Sequence, residues 1–440
     1  FDAVARELTE QAAREAGYPP LVLLEEPQAA FYAWIERHQD WRERIGRGDL
    51  VLVVDVGGGT TDFTLIAVTE RDGALELERV AVGEHLLLGG DNMDLALAHS
   101  VAAQLSGQGR KLDALQMNAL WQQCRLAKEK MLSGNSNEEK VTILGRGSSL
   151  IGGSISGKLL RAEVETLLVD GFFPRCSSHE MPERRRRMGL VETGLPYETD
   201  AAITRHLARF LRQQSSAAEH GAVRRGPSGF ACPTHVLFNG GVFRAPHLRE
   251  RVVEVLNGWL AEEGFAAIQP LVGDDLMHAV ARGAAYYARA RAGRGIRIRG
   301  GVPRTYYIGI ETAMPAVPGL RPPLKALTVA PFGMEEGTSA AIPTGEFGLI
   351  TGEPAEFRFF SSAVRKNDGA GTMLDEVTEE LEELAPIQVT LPGAGAAGEM
   401  VRVSLETRVT ETGVLELWCV ARDGRRWKLE FQVREQRARP

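Results

Sequence analysis

Cysteine is scarce in this chain of 440 residues: Cys124, Cys176, Cys232 and Cys419 lie far apart and none belongs to a CxxC pair. That spacing suggests neither a zinc site nor a disulfide framework, and a reducing cytoplasm is the expected compartment. Long apolar runs are missing as well. No stretch approaches the roughly 18 residues of a spanning helix and no charged-then-apolar leader opens the chain, so no membrane partner is expected. A strong charge of either sign is also absent. With 51 basic and 58 acidic residues the formal net charge is −7, which argues against general nucleic-acid affinity, so no nucleic-acid partner is expected. A hydrophobic fraction of 44% with 25% charged residues excludes a disordered chain and fits a globular protein. The length exceeds one ordinary core, and about two to three domains are expected. The first residue is Phe1 rather than methionine, which leads us to expect that a preceding segment has been removed.

What is present is organised around Leu50 to Val68, LVLVVDVGGGTTDFTLIAV. An apolar, β-branched run stops at Asp55, turns through Gly57, Gly58 and Gly59, and resumes after Asp62, which predicts strand, tight turn, strand. Three successive glycines let the backbone approach a ligand, and the N–H groups of such a turn form an anion site. Phosphate is the natural anion. Thr60 and Thr61 add hydroxyl donors, and Asp55 is placed to orient a hydrated divalent cation such as Mg²⁺. A Gly-rich hairpin turn with a capping Asp accounts for GGGT equally well.

The spacing predicts a helix over residues 2–16, a short strand over 21–24, and a helix over 28–44 with Pro27 in its first turn. Glu25 and Glu26 at that corner read as solvated surface or as a place for catalytic water. A strand over 74–82 precedes Leu88-Gly89-Gly90-Asp91, a second place of close backbone approach, and a helix over 93–105. Lys128, Lys130 and Arg125 fall on a long helix over 112–133, where a solvated face is the default reading. A hairpin over 141–155 and a helix over 159–173 follow. Between Cys176 and Pro233 the texture changes to a loop-rich insertion, with an arginine run at 184–187 and one amphipathic helix carrying Ile203, Leu207, Phe210 and Leu211. Regular structure returns with a strand over 234–238, the turn Asn239-Gly240-Gly241, and helices over 246–260 and 276–290. Alternating strands and helices point to an α/β layer architecture.

FDAVARELTEQAAREAG, LLEEPQAAFYAW, VLVVDVGGGTTDFTL, LLGGDNMD, VLFNGGVFRAP and AVARGAAYYA stand in the order of the ATPase domain of the 70-kilodalton heat-shock (DnaK-type) chaperones, within the actin and sugar-kinase superfamily. The resemblance covers residues 1–292 and is interrupted by the insertion at about 176–233. It implies a partial actin-like nucleotide-binding domain taking ATP or ADP with Mg²⁺. Asp55 then matches the Mg-associated aspartate, reached through water, and Gly57, Gly58, Gly59 and Thr60 match the second phosphate loop. Glu26 matches the carboxylate near the attacking water, with Pro27 beside it. Asp62 matches the Asp that closes the phosphate loop. Gly240, Gly241 and Arg244 match the adenosine loop, and Gly89, Gly90 and Lys128 complete the expected nucleotide contacts.

Departures accompany these matches. Arg125 stands where the adenosine-contacting helix offers Glu, Val242 replaces a small polar residue, and Met277 falls where an Asp is usual, with Asp274 and Asp275 displaced. The first phosphate loop of the family has no counterpart, so the chain is expected to begin part-way through the ATPase domain and to be impaired in hydrolysis on its own. The link over 293–303 is basic and Gly-rich. From Arg304 the pattern turns to strands separated by turn residues, which predicts a β-sandwich over 304–440. TYYIGIE, SAAIPT and TGVLELWCVARDG resemble the family's peptide-binding domain, and imply unfolded or extended apolar peptide and co-chaperones as partners. A nucleotide-sensing interaction scaffold without turnover and a small-molecule kinase are the alternative readings.

Overall fold

The computed structural model describes residues 3–19, 21–71, 73–83, 85–107, 111–134, 136–145, 153–183, 197–213, 224–273, 275–302, 304–313, 323–343, 345–362, 365, 367–384, 386–393, 398–410 and 414–432. The arginine run at 184–187 and Asp274 lie outside them. Contacts divide the chain into two units, residues 26–297 and residues 1–25 together with 298–440.

In residues 26–297 the Gly-rich stretch forms the strands expected of it, β1 (Leu50–Val56) and β2 (Thr61–Arg71), followed by β3 (Ala74–Val82). A hairpin of β4 (Glu138–Leu144) and β5 (Ser154–Leu160) stands apart from them, and β6 (His235–Asn239) and β7 (Gln269–Leu271) complete the sheet in the order β7-β6-β1-β2-β3. β1 runs antiparallel to β2, with Asp55 opposite Asp62, and parallel to β6, with Asp55 opposite Asn239. Every residue of β1 is buried, the signature of a strand covered on both faces. Period-2 alternation sends Leu50, Leu52, Val54 and Val56 into one core, with Met93, Leu97 and Cys124 from the helices Gly90–Gly107 and Ala114–Ser133. Asp55 therefore belongs to the other face. The helix Glu26–Arg37 packs against β1, β2 and the helix Ala279–Arg291.

Three expectations change. Residues 21–24 form no strand; they lead through Glu25 into the helix Glu26–Arg37. That helix stops before 44, because the chain turns at 38–40 to bury Trp41 on a separate turn, Trp41–Arg44. The loop-rich 176–233 segment also reaches the core: its helix Ile203–Gln213 packs on β2, with the Phe210 and Phe63 rings 5.7 Å apart, and Phe230 and Cys232 are fully buried.

The C-terminal part is strand-rich. One sheet has the order Met373–Leu374, Leu324–Ala330, Thr305–Glu311, Phe359–Ser362, Glu382–Glu383. A second sheet joins Thr338–Ala341 and Phe347–Thr351 to Glu399–Val409, then Val414–Ala421 and Arg426–Gln432. Ile308, Leu327 and Phe359 from the first share a core with Leu405, Leu417 and Trp427 from the second, an arrangement compatible with a β-sandwich.

Candidate functional site

Parallel strands end with their carboxyl termini at one edge of a sheet, where α/β proteins bind ligands. β1 and β6 both end there, with Asp55 one residue before the end of β1 and Asn239 the last residue of β6. Both residues are only 3% exposed, and Asp55 Oδ2 accepts a hydrogen bond from Asn239 Nδ2 at 2.8 Å. Burial pushes the Asp55 carboxyl up to about 7; the Asn239 donor opposes this, and the charges of Glu26 and Asp62 add to it. Asn239 Oδ1 is buried with no hydrogen-bond partner.

The chain leaves β1 through the glycine turn, closed by Gly57 N–H donating to Thr60 O at 2.9 Å. Gly58 and Gly59 are exposed. The Leu88-Gly89-Gly90-Asp91 segment lies on this turn: Gly90 N–H donates to Gly57 O at 3.0 Å and Asp91 N–H to Gly58 O at 2.7 Å. Gly89 must be glycine here, since a Cβ would stand 2.5 Å from Gly58 O. Thr61 faces inward and donates from Oγ1 to Leu88 O at 2.8 Å. The third glycine turn closes in from β6. Gly240 has φ +90°, and a Cβ there would stand 2.2 Å from Val56 O and 2.8 Å from Asp55 Oδ1. A Cβ on Gly90 would lie 3.3 Å from Val242 Cγ2, so the 240–244 turn meets the 88–91 segment as well. Gly241 and Arg244 are exposed.

Glu26 begins the helix that packs beside β1. Desolvation and the Asp62 charge raise its carboxyl above the ordinary value, and His85 opposes them. His85 Nδ1 lies 2.8 Å from Asp62 Oδ1. Lys128 is buried rather than solvated: its Nζ lies 2.7 Å from Asp94 Oδ1 and donates to Gly90 O at 3.3 Å. Lys130 and Arg125 on the same helix are exposed, paired with Glu139 and Glu129. Thus Asp55, Glu26, Gly57–Thr60, Gly89, Gly90 and Gly240 come together, and Lys128 reaches them through Gly90.

Sequence reasoning passed over Asn239, His85 and Asp91. Asn239 had a signal, being a polar residue that ends an apolar strand just before Gly-Gly, as Asp55 does before its glycines. Asp91 sits so that a Cβ on Gly58 would lie 3.6 Å from its Oδ1, a further carboxylate beside the turn. The residues fit a hydrated divalent cation: a carboxylate, an orphaned amide oxygen next to it, and a glycine cradle that a side chain would fill.

Residues 1–179 match the family model described as Hsp70 protein. The chain is also similar to chaperone protein HscA homologs: 33% identical over 169 residues to that of Pseudomonas paraeruginosa, covering 38% of this chain and 23% of the relative. The Azotobacter vinelandii protein is 34% identical over 169 residues, with the same coverage of 38% and 23%. That of Burkholderia lata is 34% identical over 145 residues, 33% of this chain and 22% of the relative. The matched stretch thus spans less than a quarter of each relative's length. The similarity to Hsp70-type proteins thus lies in residues 1–179.

Proposed function

We propose that the chain is part of an Hsp70-type chaperone in which residues 26–297 carry an actin-like site for ATP or ADP with Mg²⁺, and residues 304–440 a β-sandwich for extended apolar peptide. The observation that carries this reading is the meeting of three glycine turns, at 57–59, 89–90 and 240–241, at the edge where Asp55 stands one residue before the end of β1. Backbone amides of Gly58, Gly59 and Thr60 hold phosphate oxygens, and Asp55 orients the hydrated cation. Bound Mg²⁺ supplies charge neutralisation at the phosphates. Glu26, whose proton affinity is raised, orients the attacking water, and the paired Asp62 and His85 act on its charge with opposite signs. Catalysis of this kind rests on positioning and electrostatics. The HscA homologs are named chaperones, which supports unfolded peptide and co-chaperones as the partner classes.

A second reading, a nucleotide-sensing scaffold without turnover, is favoured by one observation: Lys128 is engaged with Asp94 and Gly90. Calorimetric titration of Mg-ADP and Mg-ATP into the folded chain tests both readings. Saturable binding supports nucleotide at this edge, phosphate release along with it rejects the scaffold without turnover, and no saturable binding rejects both readings.

A further inference from the structure

Asn239 occupies a position where the fold asks for an apolar side chain. It closes a strand whose five residues are all buried, HVLFN, and it is itself 3% exposed. An amide there brings two donors and an acceptor that must be satisfied. One donor reaches Asp55 Oδ2 at 2.8 Å, while Oδ1 has no partner. Turning the amide over does not help, because it sets Oδ1 against the Asp55 oxygen. A buried, unsatisfied carbonyl carries its desolvation cost with nothing to offset it. Valine suits a strand and would remove the orphaned oxygen, but it would strip the buried Asp55 Oδ2 of its donor. Packing alone therefore does not account for the amide: one polar end is committed to Asp55 and the other is left without a partner, as at functional positions rather than packing positions.

What the amide does is visible in its single bond. Asp55 lies in the same register on the neighbouring parallel strand, and Gly240, next to Asn239, crowds Asp55 Oδ1 so closely that no Cβ fits. One carboxylate oxygen is thus held by a donor and the other is walled by backbone. Resting on the nucleotide reading above, we infer that Asn239 is a positioning residue that fixes the Asp55 carboxylate for a hydrated divalent cation. Outer partners of this kind orient metal-associated carboxylates, and their loss typically weakens metal affinity about tenfold or more.

The test uses the full chain, with ADP titrated in the presence of Mg²⁺ and again in excess EDTA, on wild type and Asn239→Val. The variant should still fold, and should unfold at an equal or lower denaturant concentration, because Asp55 Oδ2 loses its donor. It should bind ADP about tenfold more weakly with Mg²⁺ present and equally well in EDTA. A structural role moves both affinities together, so equal losses in the two conditions overturn the inference, as does an unchanged Mg²⁺-dependent affinity. A wild type that binds ADP no better with Mg²⁺ than in EDTA overturns it too, while leaving the nucleotide reading in place. A wild type that binds no ADP in either condition overturns both.

Discussion

The Lys128 ammonium lies 2.7 Å from Asp94 Oδ1, with the two side chains 11% and 2% exposed, and so ties the helix Ala114–Ser133 to the first turns of the helix Gly90–Gly107. Removing one member of a buried pair leaves the other charge without compensation, at a cost of about 3–5 kcal/mol. Lys128→Met should therefore destabilise strongly at pH 8. Lys128→Met combined with Asp94→Leu should recover most of the loss. Burial already raises the Asp94 carboxyl above its ordinary value, so it protonates more readily once Lys128 is gone and the single variant loses less at pH 5. Urea denaturation of the three proteins at both pH values checks this, and a double variant as unstable as the single one counts against it.

Asp55 gives a pH dependence of definite sign. Its carboxyl is raised from 3.8 to about 7 in the folded chain, mainly by burial. Between these values the folded state holds a proton that the unfolded state releases, so this group's contribution is full below about pH 4 and is lost as pH rises through about 7. About three powers of ten in proton affinity correspond to at most about 4 kcal/mol. Asp55→Asn keeps the Asn239 bond and removes the ionisation. The variant should be more stable than wild type at pH 8 and gain less at pH 5, while its Mg²⁺-dependent nucleotide affinity falls. Denaturant midpoints at the two pH values read the first effect, and a variant that melts and loses affinity in parallel makes Asp55 merely structural.

Two helical glycines should respond with opposite signs. In the helix Ala279–Arg291 a Cβ on Gly283 would stand 1.7 Å from Ala29 O, in the helix that begins at Glu26. Gly283→Ala must push these helices apart, at about 3 kcal/mol, and shift Glu26 relative to β1. Gly258, exposed in the helix Pro246–Glu262, has nothing within 4 Å of such a Cβ. Gly258→Ala should stabilise by about 1 kcal/mol through helix propensity. Melting temperatures of both variants decide it; two changes of the same sign disprove the packing argument.

The glycine hairpin and Asp55 were legible in the sequence because one short stretch encodes both the strand pair and its turn, in register with Asp55 opposite Asp62. The helices at 90–107, 114–133 and 246–262 were legible from spacing for the same local reason. Partnerships across long separations were not. Asn239 meets Asp55 across 184 residues, and its place before Gly-Gly marks a turn without naming Asp55 as its partner. Lys128 reads as solvated on its own helix, and only the arrival of Asp94 and Gly90 buries it. The strand Phe347–Thr351 is hard to read from its own residues, being short and interrupted by Gly348, and it is held by pairing with Glu399–Val409.

The strand-rich part should bind extended apolar peptide weakly. A peptide added to a sheet gains main-chain hydrogen bonds along an edge and a pocket for one or two side chains. Among the described residues, the sheet built on Thr305–Glu311 ends on both sides in two-residue strands, Met373–Leu374 and Glu382–Glu383. Edges so short offer few bonds in a row, each worth only about 1 kcal/mol net. The longer edge strand of the second sheet, Arg426–Gln432, carries Arg426 and Lys428, which stand over the Trp418 ring and make that edge charged rather than apolar. The expected affinity is micromolar or weaker, about −8 kcal/mol or less favourable, with rapid dissociation. Titrating a fluorescent apolar heptapeptide into the full chain, with an excess of unlabelled peptide as competitor, measures it. Binding that competes with a micromolar or weaker constant meets the prediction, nanomolar binding shows that a pocket rather than an edge supplies the affinity, and the absence of saturable binding removes peptide from the function of these strands.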